Sequence, residues 1–336
     1  MSRARTLAIL LLLMNVGPAQ PGPMDTRPVR PAEVSAQGIS SFRIGSDETR
    51  FGPLEFVGGL RLRSSAPDFG GLSAFRFLTP GGAFMGVTDT GLWYFGKIMR
   101  DAKGIPVGVE QFRTMPILDA KGKPVGKKRY ADAEGLDVKD GVATASFERE
   151  HRISEFRIDP EGMGAPLRDL DFLVPRGELR RNAGFETVVH APGDSALAGA
   201  RVAVAEKSLD RDGNIFTAIL EGPHKGVFTV ARRGEFDVTD GAFLPDGDLL
   251  LLERSFSMTR GVGMRLRRIG GDEIRPGRLA DGDILLEVNM AYQIDNMEGL
   301  DVWRRDDGAL MVSLVSDDNQ SFLQRTLYLE FRMIEE

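Results

Sequence analysis

Apolar positions along this chain come in short runs of four to eight residues, broken by Gly, Pro, Asp and Asn. Neither their length nor their spacing fits an amphipathic helix; they read as strands. The clearest pair is Asn296-Met-Glu-Gly-Leu-Asp-Val-Trp303 and Ala309-Leu-Met-Val-Ser-Leu-Val-Ser-Asp-Asp-Asn319, joined by Arg304-Arg-Asp-Asp-Gly308. An Asp-Gly turn between two apolar arms predicts a β-hairpin. The pattern recurs four more times. Gly71-Leu-Ser-Ala-Phe75 leads to Ala83–Asp89, and Glu134-Gly-Leu-Asp-Val138 leads to Val142–Glu148. Gly184-Phe-Glu186 leads to Arg201–Glu206, and Asp240-Gly-Ala-Phe-Leu244 leads to Leu249–Glu253. The glycines anchoring these units, Gly71, Gly135, Gly184, Gly241 and Gly299, stand roughly 50 to 65 residues apart, the size of a four-stranded propeller blade with its loops.

Between the hairpins lie further short apolar runs that supply outer strands, among them Ile153–Ile158, Leu167–Val174, Ile215–Leu220, Val227–Ala231, Met264–Ile269 and Ile284–Val288. The first strand of the core, Leu54–Leu62, precedes the first hairpin, and the last hairpin is followed by only one strand, Thr326–Met333. The expected fold is therefore all-β: a single β-propeller of four-stranded antiparallel blades, its ring closed by the N-terminal strand so that no sheet edge is left free. Five blades are counted, and the weakly patterned stretch from Gly91 to Tyr130 leaves room for a sixth.

The 336 residues, 42% of them hydrophobic, suffice to bury such a core. Residues 1–20 read as a signal peptide, with Arg3 and Arg5 ahead of the apolar run Leu7–Met14 and small residues at Gly17-Pro-Ala19. That run is too short to span a bilayer. Residues 21–50, rich in Pro and polar residues, are expected to form a flexible leader before the propeller domain at 51–336. A periplasmic or secreted monomer without a transmembrane span in its mature form follows. The net charge of −6 argues against a nucleic-acid partner, and the absence of cysteine excludes disulfides and thiolate metal sites.

Hairpin geometry returns each chain segment to where it began, so the acids that open and close the hairpins are expected at one mouth of the central channel. The leading set is Glu134, Glu186, Asp240 and Glu298; the trailing set is Asp89, Glu148, Glu206, Glu253, Asp317 and Asp318. Crowded carboxylates repel and need compensation. A hard cation such as Ca²⁺, which takes six to eight oxygens, would supply it, with Glu134, Glu186, Asp240, Glu298, Asp317 and Asp318 as ligands and amide oxygens added by Asn182 and Asn296. Basic residues offer a second remedy. Arg149, Lys207 and Arg254 each follow a trailing acid, and with His151 they would cradle a phosphate or carboxylate. Glu298, Glu134 and Arg254 are the expected catalytic groups. These acids have an alternative use, as clamps that bond backbone amides of the neighbouring blade. Ser73 lacks the second glycine of a nucleophile elbow, and His151, His190 and His224 are too dispersed for a local zinc motif.

At Glu134-Gly-Leu, Asn296-Met-Glu-Gly-Leu and Ser316-Asp-Asp-Asn the chain resembles the bacterial phytase-like family, described by an esterase-like activity of phytase, and the resemblance runs from about Phe51 to the C-terminus. It implies a β-propeller and an exported, hydrolase-like protein. A small anionic or ester substrate is the expected partner. No catalytic residue is carried over from it. The expected function is metal-assisted hydrolysis of phosphate or carboxylate esters at the acidic mouth; the alternative is a non-catalytic envelope propeller that binds a ligand or protein and whose acidic ring is structural.

Overall fold

A computed structural model describes residues 29–126, 128–180 and 183–334. The signal peptide expected over 1–20, the first residues of the expected leader and Asn182 lie outside the described residues.

The chain opens with β1 (Arg30–Pro31), β2 (Ser35–Ile39), β3 (Arg50–Phe51) and β4 (Leu54–Arg63). Blade 1 holds β5 (Leu72–Phe77), β6 (Ala83–Thr88), β7 (Leu92–Arg100) and β8 (Pro106–Pro116). After the one-turn helix α1 (Lys128–Ala131), blade 2 holds β9 (Ala133–Lys139), β10 (Val142–Phe147), β11 (Arg152–Arg157) and β12 (Arg168–Leu170). Blade 3 holds β13 (Phe185–His190), β14 (Arg201–Leu209), β15 (Ile215–Ile219) and β16 (Gly226–Val230). Blade 4 holds β17 (Asp237–Phe243), β18 (Leu249–Ser257), β19 (Gly261–Ile269) and β21 (Asp283–Asn289), while the short β20 (Leu279–Ala280) pairs with β16. Blade 5 holds β22 (Asn296–Arg304), β23 (Leu310–Asp317) and β24 (Thr326–Met333), and β4 is its fourth strand.

The fold is a five-bladed β-propeller. Closure occurs as the strand count requires: β4 pairs antiparallel with β24 over Leu54–Leu62. Two expectations are corrected. No sixth blade lies between Gly91 and Tyr130, because that stretch supplies β7 and β8, the outer strands of blade 1. The leader is not free from residue 29 onward. Its β2 pairs with β4, and Phe42 is fully buried against Phe51, Phe56 and Phe331. The apolar Phe42 within a polar stretch is what docks it. Among the described residues, no helix is long and apolar enough to cross a membrane.

Most of the core lies between the blades. One cluster joins Leu250, Leu252, Met264 and Leu266 of blade 4 to Met297, Leu300 and Leu314 of blade 5, and another joins Trp93 and Phe95 of blade 1 to Phe147 and Phe156 of blade 2. Glycine is needed where strands come closest. A Cβ at Gly86 would lie 2.2 Å from the Ala74 carbonyl and 2.0 Å from the Tyr94 ring. Gly86→Ala is therefore expected to destabilise by at least the upper part of the roughly 1–3 kcal/mol typical of overpacking, measured by denaturant titration.

A buried ion pair links inner strands of different blades. Arg76 of β5 is buried and donates to both carboxylate oxygens of Asp240 on β17, at 2.7 and 2.8 Å, and to the carbonyls of Phe75, Gly241 and Leu300. Burial alone would lower the Arg76 pKa; Asp240 more than reverses that, so the guanidinium stays charged. Blades 1, 4 and 5 are tied together at this point.

Candidate functional site

Every inner strand carries one extra residue near its first turn of pairing. The shift falls at Ser73 in β5, at Glu134-Gly135 opposite Ser146 in β9, at Glu186 in β13, at Thr239 in β17 and at Glu298 in β22. Such β-bulges re-aim a side chain out of the regular alternation. Three of the five bear Glu, and all three sit at the end of the channel where the second strands finish. The glycine after Glu134 has a packing reason: a Cβ at Gly135 would lie 2.7 Å from the Glu186 carbonyl of the next blade.

Two carboxylate triads form around these bulges. Asp132, Glu134 and Glu148 offer oxygens within 4.8 Å of one another, and so do Glu148, Glu186 and Glu206. Glu148 belongs to both. All donors are carboxylate oxygens, the set a hard divalent cation accepts, so buried acidic clusters able to hold a metal are present. On the other side of the mouth stand Glu298, Asp317 and Asp318. Asp318 is partly committed: it accepts from Thr326 Oγ1 at 2.9 Å and from the amides of Gln320 and Gly71 at 3.0 and 3.4 Å.

The three cations enter the same mouth. Arg149, in a left-handed conformation with φ of 58°, pairs with Asp132. Lys207 bridges Glu206 at 3.4 Å and Asp237 at 2.8 Å. Arg254 stands between Glu298 at 3.5 Å and Glu206 at 3.9 Å. Those distances exceed an ordinary hydrogen bond, so Arg254 is attracted to both acids without being clamped by either.

A model of the family Phytase-like, described as esterase-like activity of phytase, matches residues 67–320. The chain belongs to this family. No curated protein matches it. Among solved structures, an endo-arabinase from Bacteroides thetaiotaomicron is 13% identical, with a TM-score of 0.49, covering 80% of this chain and 96% of that one. A PQQ-bound aldose sugar dehydrogenase from Streptomyces coelicolor is 14% identical, with a TM-score of 0.47, covering 84% and 99%. Likeness at this level decides nothing about activity.

In this phytase-like chain, burial pushes the mouth carboxyls upward. Glu148 and Asp317 rise to about 7 and Glu298 to about 8, while Glu134 and Glu186 go well above the usual range, with neighbouring carboxylates adding to the effect. Glu206 rises for the same reason. Arg254 is raised in turn, chiefly by Glu298. The linkage has a definite sign. In the absence of metal the folded state holds protons that the unfolded chain releases near pH 4.5, so stability is complete below that pH and falls as pH rises through 7 to 8. We expect the metal-free melting temperature to drop by at least about 5 °C between pH 5 and pH 8.5, as differential scanning fluorimetry in EDTA will record.

Of the sequence-predicted residues, Glu134, Glu186, Glu298 and Asp317 meet at the mouth, with Asp318 at its edge. Asp240 does not. In blade 4 the bulge residue is Thr239, so Asp240 falls one place further along and turns inward to Arg76; Thr239 bonds the Met297 carbonyl at 2.8 Å instead. Glu253 also leaves the mouth, pairing with Arg265 and Arg267. Arg149, Lys207 and Arg254 reach the mouth, where each faces a carboxylate. His151 is buried beside Gly184 rather than open to solvent. Some acids act as blade clamps: Glu148 accepts from the Gly184 amide at 2.8 Å, and Asp301 from the Phe77 amide at 2.7 Å. Asp132 escaped the sequence reading. Its signal was the Asp132-Ala-Glu134 spacing, which places two acids on one side of an extended chain.

Proposed function

We propose that this protein is an exported, metal-assisted hydrolase of phosphate or carboxylate esters, working as a monomer at the carboxylate mouth of its channel. The supporting observation is the pair of triads sharing Glu148 with Arg254 alongside. Ca²⁺ suits an all-oxygen donor set of this size, and Asp132, Glu134, Glu148, Glu186 and Glu206 would hold it. When bound, the cation would polarise the ester and acidify a water. Arg254, with Lys207 and Arg149 behind it, orients the anionic or polarised end of the substrate. Glu298, across from Arg254, takes the proton from the attacking water; a carboxyl titrating near neutrality suits a general base. Expected export rests on the basic and apolar pattern of the first twenty residues.

A chelator test addresses this reading. Full-length mature protein stripped with EDTA should lose turnover on a panel of phytate, aryl phosphates, aryl esters and lactones, and added Ca²⁺ should restore it. At a hundredfold excess over its dissociation constant, Ca²⁺ should also add about 2.7 kcal/mol to stability. No metal in elemental analysis, together with no melting shift on Ca²⁺ addition, would overturn the metal site. The clamp bonds of Glu148 and Asp318 support a second reading, a non-catalytic binding propeller whose acids are structural. That reading expects the Ca²⁺ melting shift without turnover of any ester.

A further inference from the structure

Blade 5 carries a small cavity that shares no residue with the carboxylate mouth. It measures about 290 Å³. Its polar lining is Gln37, Ser40 and Ser41 of the leader, Arg61 of β4, and Gln293 and Arg325. Contacts between these segments make it one enclosure. Gln37 stands opposite Arg61 where β2 pairs with β4. The Gln293 amide donates to the carbonyl of Phe42 at 2.8 Å, and Phe42, next to Ser41, is fully buried in the core. Arg325 donates to Gln293 Oε1 at 2.8 Å and to the Ile294 carbonyl at 2.6 Å. The leader, β4 and the segments before β22 and β24 are thus fixed around one space.

The charge of this space opposes that of the chain. The protein carries −6 overall, yet no acidic side chain lines the cavity. Arg61 lies within electrostatic reach of Arg63 and Arg325, with Asp295 as the opposing charge. Asp295 is already engaged. It accepts from the Arg325 Nε and backbone amide, both at 3.2 Å, and from the Asn296 amide at 3.1 Å. Three guanidiniums therefore stand against one carboxylate. Burial and the two neighbouring cations lower the Arg61 pKa, the mark of a charge lacking its counter-ion. Other arginines of the fold are matched, as Arg201 is to Glu155 and Glu221, and Arg267 to Glu253. Arg61 makes no hydrogen bond or ion pair among the described residues, and the hydroxyls of Ser40 and Ser41 make no hydrogen bond there either.

We propose that this cavity binds a small tetrahedral dianion, hydrogen phosphate or sulfate, held by the Arg61 guanidinium and the hydroxyls of Ser40 and Ser41. Gln37 and Gln293 supply further amide donors. The donors come from separate segments rather than from one plane, which suits a tetrahedral oxyanion; a planar carboxylate is satisfied by a single fork. Two uncompensated positive charges match an anion of charge −2. The inference is independent of the hydrolase reading, because it uses none of the mouth residues and needs no turnover.

The test is calorimetric titration of the full mature protein with sodium phosphate, sulfate and acetate, after metal and chelator have been removed so that the carboxylate mouth repels anions. One dianion per chain should bind with a dissociation constant at or below about 1 mM, an affinity within reach of a few charge-assisted hydrogen bonds. Whichever of phosphate and sulfate binds more tightly identifies the occupant, and acetate should bind at least about tenfold more weakly. Arg61→Gln should weaken the dianion by at least about tenfold, the low end for loss of hydrogen bonds to a charged group. Its melting temperature should not fall, since Arg61 gives up no bond and its removal relieves repulsion from Arg63 and Arg325. Arg61→Lys keeps the charge without the fork and should weaken binding by at least about threefold. Saturation by neither dianion, acetate binding as tightly, or unchanged affinity in either Arg61 variant would each overturn the proposal. Dianion binding by a protein that hydrolyses no ester supports the cavity and counts only against the hydrolase reading.

Discussion

Glu298→Gln should lower turnover by at least about 100-fold, the lower bound for loss of a general base, and leave the protein folded. The substitution keeps the shape of the side chain and its ability to accept a hydrogen bond, and removes only its capacity to take a proton. Little structural cost is expected. Glu298 is the added residue of a bulge, its closest cation is 3.5 Å away, and burial already disfavours its charged form. The pH dependence carries the same signature. With its pKa held at about 8 by burial, against the opposing pull of Arg254, the metal-free carboxyl becomes a competent base only as pH rises, and a bound cation would move that limb downward. The variant should lose this limb. The measurements are initial rates from pH 5 to 9 on whichever panel substrate is turned over, alongside thermal melts. A melting temperature that collapses while residual turnover keeps its pH profile would assign Glu298 to structure instead.

The strands and the ring were legible because hairpin turns and short apolar runs are local signals, and closure follows from an unpaired strand at each end. The mouth was legible in outline for the same reason: a hairpin brings its two ends together whatever their side chains. What failed was the register. Anchoring the repeats on glycine equated Gly241 with Gly135 and Gly299, yet the equivalent positions are the bulge residues, and in blade 4 that residue is Thr239. A one-residue offset sends a side chain to the opposite face, which is why Asp240 was expected in the mouth and is found against Arg76. Aligning on the apolar residue before each bulge, Leu72, Ala133, Phe185, Val238 and Met297, would have corrected it. Arg76 itself carried no local signal. Its partners on blades 4 and 5 lie more than 160 residues away, and only ring closure brings them together.

That pair is where the largest effect on stability is expected. Arg76→Met should destabilise the protein by roughly 3–5 kcal/mol, the cost of leaving one member of a buried ion pair uncompensated. Asp240 would keep the amides of Gly241 and Leu300, at 2.8 and 2.7 Å, but lose the guanidinium that compensates it, and three carbonyls of buried residues would lose a donor. Asp240→Leu alone should cost a similar amount by stranding the guanidinium. The two changes together should cost less than their sum, because apolar groups of similar volume replace a buried pair with little penalty once both charges are gone. Urea titrations of the four proteins close the cycle. A coupling of at least about 2 kcal/mol is expected from one network in direct contact; additive losses would mean that Arg76 holds the blades through its carbonyl bonds alone, with Asp240 a bystander.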